Sequence, residues 1–125
     1  MEAFKITRVY ADGNGDSHFE EISKPLRSAG EIGFLSEAEE VEHLTFRQVV
    51  PTYDYDFHTA PARQYIILLD GEIEIETSLG DKRRFRGGDV LLVEDTTGKG
   101  HRTRNLRPEI RQSIFVTLKP QPEAQ

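Results

Sequence analysis

Strict alternation of apolar and charged residues is the feature that most limits the architectures open to this chain. In Glu72-Ile73-Glu74-Ile75-Glu76 the isoleucines fall on one side of an extended backbone and the glutamates on the other, the pattern of a half-buried strand. Similar runs lie at Phe4 to Tyr10, His18 to Ile22, Leu44 to Val50, Gln64 to Leu69, Asp89 to Val93 and Ile110 to Leu118. Weaker ones lie at Arg83 to Arg86 and His101 to Arg104. No long segment carries an apolar stripe at helical spacing. Only Ser36-Glu37-Ala38-Glu39, with the spacing of a capping box, predicts one or two helical turns.

Turn residues separate these runs. Asp12-Gly13-Asn14-Gly15, Leu79-Gly80-Asp81 and Gly87-Gly88-Asp89 break the chain, and Asp70-Gly71 between two alternating runs predicts a hairpin. Short strands at close spacing predict an all-β barrel or sandwich of two packed antiparallel sheets. Ile66, Leu68, Ile73, Ile75, Val90, Leu92, Ile114 and Val116 are its expected core. At 125 residues, the expectation is one domain over residues 1–125. The tail from Pro120 to Gln125 is expected to fray.

Composition narrows the chemistry. With 36% hydrophobic and 30% charged residues the chain can build a packed core. It has no cysteine, so disulfides, thiolate metal sites and cysteine nucleophiles are excluded and any metal must sit on nitrogen and oxygen. Residues 1–62 carry 5 Lys and Arg against 12 Asp and Glu, a balance of -7, whereas residues 63–125 are near neutral. That acidic half disfavours nucleic acid and anionic membranes as partners. The first ten residues lack a secretory pattern and no apolar run reaches spanning length, so a cytoplasmic location is expected.

The stretch from Tyr53 to Asn105 carries the chemistry. Phe57-His58-Thr59-Ala60 is followed by Gln64 and then Gly71; further on, Gly88-Asp89 leads into Val90-Leu91-Leu92-Val93, a turn through Gly98 and Gly100, then His101 and Asn105. This layout resembles the two motifs of the cupin family, and in particular its small single-domain bacterial members of the cupin-2 type. His58 takes the position of the first motif's first histidine, Ala60 that of its second, Gln64 that of its glutamate, and His101 that of the second motif's histidine. The resemblance implies a jelly-roll barrel and a metal site at His58, Gln64 and His101, holding a divalent ion such as Zn, Ni, Fe or Mn. Two positions depart from the family: Ala60 has no ligating atom, and Gln64 offers a neutral amide for a carboxylate. The segment from Glu94 to Gly100 lacks the family's proline and is slightly longer, which implies a re-aimed loop before His101.

Around this constellation, Arg47 and Arg63 are candidates to reach into the barrel and bind a carboxylate. Tyr53, Tyr55 and Phe57 alternate, so all three can share one face of an extended segment and line a pocket for an organic ligand. Arg47, Tyr53 and Tyr55 are therefore the expected ligand-binding residues. The basic run Lys82-Arg83-Arg84-Phe85-Arg86 reads as a solvated edge. No catalytic residue is assigned, although Glu94 and Asp95 are candidate bases.

Two functions stay open. One is a metal-dependent enzyme acting on a small organic molecule, since small cupins include dioxygenases, isomerases and decarboxylases. The other is a metal-free binding or sensing barrel, favoured by Ala60. The resemblance also implies a homodimer, expected through the strand from Phe4 to Tyr10.

Overall fold

The computed structural model describes residues 3–120, which form twelve strands and one short 3-10 turn. The strands are β1 (Ala3–Ala11), β2 (Ser17–Pro25), β3 (Arg27–Ser28), β4 (Phe34–Leu35), β5 (Val41–Val49), β6 (Asp54–His58), β7 (Gln64–Leu68), β8 (Glu72–Thr77), β9 (Lys82–Arg86), β10 (Val90–Val93), β11 (His101–Asn105) and β12 (Arg111–Leu118). A six-stranded sheet runs β2-β1-β10-β7-β12-β5, a four-stranded sheet runs β6-β11-β8-β9, and β3 and β4 form a small ribbon. Every pairing is antiparallel except β1 with β10, which is parallel. The expected all-β barrel of two packed sheets is thus present, with one parallel seam where the N-terminal strand joins.

The core lies between the sheets. Leu68, Leu91 and Val93 from the large sheet meet Ile73, Ile75 and Phe85 from the small one, with Ala60 at the margin. Burying side chains of this size contributes roughly 1.5–3 kcal/mol each. The isoleucine and glutamate faces of β8 separate as expected: Ile73 and Ile75 point inward, while Glu74 pairs with Arg104 and Glu72 with Arg107. Of the expected core, Leu68, Ile73, Ile75 and Leu92 are buried, and Ile66, Val90, Ile114 and Val116 are half-buried. Leu91 and Leu92 are both buried although they point to opposite faces, because the reverse of the large sheet holds a second cluster of Ile6, Leu92 and Leu118.

Three local expectations are corrected. Asp70-Gly71 is not a hairpin: β7 belongs to the large sheet and β8 to the small one, so this turn carries the chain across the barrel. Its positive-φ Gly71 packs by backbone hydrogen bond against Gly87, which sits in the second crossing, from β9 to β10. A side chain at Gly87 would meet the Asp70 backbone at 2.8 Å, so the two corners require a glycine there. The Ser36–Glu39 segment forms no helix. No apolar stripe holds it to the core, and its acids turn to separate partners, Glu37 to Arg27 and Glu39 to Lys24. The expected frayed tail falls largely on residues 121–125, outside the described residues.

The basic run behaves as a protected edge. β9 is the outer strand of the small sheet, with Lys82, Arg83, Arg84 and Arg86 exposed and only Phe85 turned into the core.

Candidate functional site

The barrel mouth holds an open cavity of about 340 Å³, near the lower end of ordinary ligand sites. Its walls come from both sheets. Ile66, Leu91, Phe115, Gln64, Arg47 and Arg111 stand on the large sheet; Ile73, Ile75, Tyr55, His58, His101 and Thr103 stand on the small one, with Tyr53 just before β6. All six residues expected to bind a metal or ligand therefore line one cavity.

His58 and His101 are brought together by direct strand pairing. They are cross-strand partners on β6 and β11, with ring centroids 4.7 Å apart. A bulge makes this possible. His101 pairs with His58 while Thr103 pairs with Tyr55, so three steps on β6 match two on β11. Simple alternation would place Tyr55 and His58 on opposite faces. The extra residue instead turns both into the cavity, where their rings lie 3.9 Å apart, and Phe57 is left outside, 42% exposed. The expected shared face of Tyr53, Tyr55 and Phe57 is corrected accordingly: only the two tyrosines reach the cavity.

Each imidazole has its Nδ1 occupied. His58 Nδ1–H donates to the Asp56 carbonyl at 2.8 Å, and His101 Nδ1–H donates to Asp95 Oδ2 at 2.6 Å. Both rings therefore keep Nε2 for the cavity. Asp95 is fully buried and its Oδ1 has no hydrogen-bond partner among the described residues. Burial lowers the His58 pKa, and the nearby His101 and Arg47 push it the same way against the Asp56 carbonyl and Asp95, so His58 is neutral at pH 7.

The approach of the two histidines depends on Gly100. A side chain there would meet the His58 carbonyl oxygen at 2.0 Å, and the residue has φ 74°. The loop that the Glu94–Gly100 segment forms is fastened by hydrogen bonds from the Ala60 N–H to the Asp95 carbonyl and from the Lys99 N–H to the Gly15 carbonyl.

The candidate bases separate. Glu94 turns away from the cavity and accepts hydrogen bonds from Arg8 Nε and Arg63 Nε, each at 2.5 Å. Burial alone would raise its pKa, but these two guanidinium groups together outweigh it and hold the carboxyl below its usual range. Arg63 is thereby spent outside the barrel, whereas Arg47 lines the cavity.

No protein-family model matches the sequence, and no curated protein matches it. Solved structures do. The chain aligns with the cupin domain of Schizosaccharomyces pombe Cnp3 at a TM-score of 0.51 and 13% identity, over 93% of this chain and 88% of that one. The fold is of the cupin type. It also aligns with a Neisseria meningitidis protein, NMB1881, at TM-score 0.48 and 19% identity over 66% of this chain and 84% of that one. A Streptococcus pyogenes protein of unknown function, SPY1581, aligns at TM-score 0.46 and 17% identity over 70% and 72%.

Within this cupin-type barrel one residue escaped the sequence reading. Arg111, at the start of β12, is only 2% exposed and lines the cavity. Its Nε–H donates to Asn105 Oδ1 at 2.9 Å, and Asn105 Nδ2 in turn donates to the Val50 carbonyl at 3.2 Å. Asn105 closes the second motif. Its place six residues before an arginine was the available signal, legible only once the chain returns on itself.

Among the described residues, no group of three or more His, Asp or Glu side chains is arranged to hold a metal. No helix there is long and apolar enough to cross a membrane.

Proposed function

We propose that this chain, with the motif layout of a small cupin-2 type protein, is a binding module that holds a small organic molecule in the barrel cavity without a resident metal. One observation carries the reading: a mainly apolar cavity at the barrel mouth receives two imidazoles whose Nδ1 atoms are already engaged, so both Nε2 atoms stay free for a guest in a fixed orientation. Neutral His58 then accepts a hydrogen bond from the guest, and the Asp95-anchored His101 supplies the second polar contact. Tyr53 and Tyr55 flank the entry as amphipathic walls.

The donor set fits a metal ion poorly. His58, His101 and Gln64 amount to two nitrogens and one amide oxygen, Ala60 contributes no ligating atom, and no carboxylate joins them. Arg47 and Arg111 add positive charge to the same cavity. A dication therefore gains little there.

Filling the cavity tests the reading. Ligand-observed NMR with a fragment library should find binders whose signals respond to the wild type and lose that response in Ile75→Trp. Equal response in both proteins would overturn it.

Association of two copies is also proposed. β1 is hydrogen-bonded on both sides, so β2 and β5 are the edges of the large sheet, and pairing through an open Phe4–Tyr10 edge is not available. Along one groove between the reverse face of that sheet and the β3-β4 ribbon, Phe4 of β1 and Phe34 and Leu35 of β4 are each about half exposed.

A further inference from the structure

The two cavity arginines differ from the rest of the molecule's guanidinium groups. Arg8, Arg27, Arg63, Arg84, Arg102, Arg104 and Arg107 each face a carboxylate. Among the described residues Arg47 and Arg111 face none. Arg83 and Arg86 also lack one, but both are exposed to water. Asp70, whose charge acts on Arg111, is instead taken up by the Gln112 backbone N–H at 2.6 Å. A guanidinium only 2% exposed, with no carboxylate in ion-pair contact among the described residues and only the field of Asp70 to offset its charge, is costly to hold.

Their setting is built rather than incidental. Arg47 pairs through β5 with Ser113 of β12, which places Arg47 and Arg111 on neighbouring strands of the same wall. The Tyr53 ring lies 4.9 Å from Arg47 Cζ and 5.6 Å from Arg111 Cζ, and Phe115 stacks 4.8 Å from Arg47 on its other contact. Asn105 fixes the Arg111 Nε and leaves the terminal nitrogens of its fork unclaimed by any acid. Ser113 Oγ, buried beside them in the strand register, has no hydrogen-bond partner among the described residues.

We propose that Arg47 and Arg111 form an anion seat on the large-sheet wall of the cavity, and that the guest is a small, mainly apolar organic acid bound as its carboxylate. This rests on the cavity being the binding site. The guanidinium fork matches a carboxylate in shape as well as charge. The isoleucine, leucine and phenylalanine walls accept an apolar body and offer a heavily hydrated anion few groups to replace its water. The histidines on the facing wall then bind whatever polar group the acid carries at its other end.

The test uses the intact protein and five probes at constant ionic strength: benzoate, hexanoate, benzamide, hexanol and inorganic phosphate. Calorimetry should show the two acids binding at least tenfold more tightly than their neutral analogues, with phosphate the weakest. At tenfold excess over its Kd, each acid should raise Tm by about 5 °C. Arg47→Met and Arg111→Met should each bring the ratio of acid to neutral affinity towards one while benzamide binding persists. Arg111→Lys should fall between. Unliganded Arg111→Met should melt no lower than wild type, since it removes a buried cation that no carboxylate contacts and keeps the apolar stem; a merely structural arginine would lower Tm.

Equal binding of acids and neutral analogues would overturn the anion seat and leave the cavity reading intact. Phosphate binding as tightly as the acids would overturn the carboxylate assignment. No binding by any probe at millimolar concentration would overturn both.

Discussion

His101 donates through Nδ1 to Asp95 across 2.6 Å, and both side chains are almost wholly out of water, at 3% and 0% exposure. The pair joins the loop before β11 to the strand itself, and it decides which ring nitrogen the cavity sees. In this it resembles the carboxylate contacts that orient histidines in functional sites generally.

Removing the carboxylate should therefore cost stability and orientation together. Asp95→Ala is expected to lower unfolding free energy by about 3 kcal/mol, because it leaves the His101 N–H buried without a partner. Chemical denaturation measures the first effect and nitrogen NMR of the His101 ring the second. An unchanged tautomer population would show that Asp95 does not set it.

Gly100 should tolerate no side chain. Gly100→Ala puts a carbon 2.0 Å from the His58 carbonyl and a left-handed backbone angle on alanine, so a loss of about 3 kcal/mol or more is expected. Gly80→Ala, whose φ is also positive but whose side chain would meet open space, is the control and should cost less. Equal losses would mean that strain alone, and not the approach to His58, explains the glycine.

Stability should fall on acidification in two windows. Burial lowers the His58 pKa below its ordinary 6.5, so the folded protein binds fewer protons there than the unfolded chain and stability is lost as pH falls below about 6.5. Glu94, held below its ordinary 4.5 by Arg8 and Arg63, contributes stability that is present above 4.5 and lost as pH falls through its lowered value. Melting temperature against pH should show both, with His58→Gln removing the upper window and Arg63→Met shrinking the lower. A flat upper window in the wild type would contradict the burial of His58.

Protein purified without an affinity tag should carry no stoichiometric metal by elemental analysis. Gln64→Glu restores an anionic ligand beside His58 and His101 and should tighten binding of added Ni or Zn by about tenfold, the worth of one charge-assisted contact of about 1.5 kcal/mol. One equivalent of tightly held metal in the wild type would reverse the metal-free reading.

Sedimentation at micromolar concentration should give a mass twice the 14.3 kDa of one chain. Phe34→Lys, on the ribbon strand β4 that lines the groove with Phe4, should shift it towards the single chain, and a single-chain mass in the wild type would reject the association.

The alternation in β8 and the short apolar runs specified strands wherever one face meets the core, because period-two burial has a direct imprint on residue order. That reading located nine of the twelve strands among the described residues and the all-β class, but not the two-residue β3 and β4 or the site strand β6. It also named both histidines, Gln64, Arg47 and the two tyrosines of the cavity. It could not assign strands to sheets: Asp70-Gly71 has hairpin chemistry, yet the same positive-φ glycine serves a crossing between sheets, and only the packing of Gly71 against Gly87 distinguishes the two. Nor could it detect the bulge in β6. A bulge changes which residues share a face without changing residue order, so Phe57 leaves the cavity and His58 enters it.

Local order along the chain was sufficient for most strand positions, for turn positions and for the absence of thiol chemistry, since each depends on neighbours a few residues apart. The charge inside the cavity depends on residues far apart. Arg47 and Arg111 are separated by more than half the chain and become neighbours only through the pairing of β5 with β12, while Glu94, adjacent to the site in sequence, is turned out to Arg8 and Arg63. Which charges find a partner is a property of the closed barrel, because only closure determines which side chains lose water together.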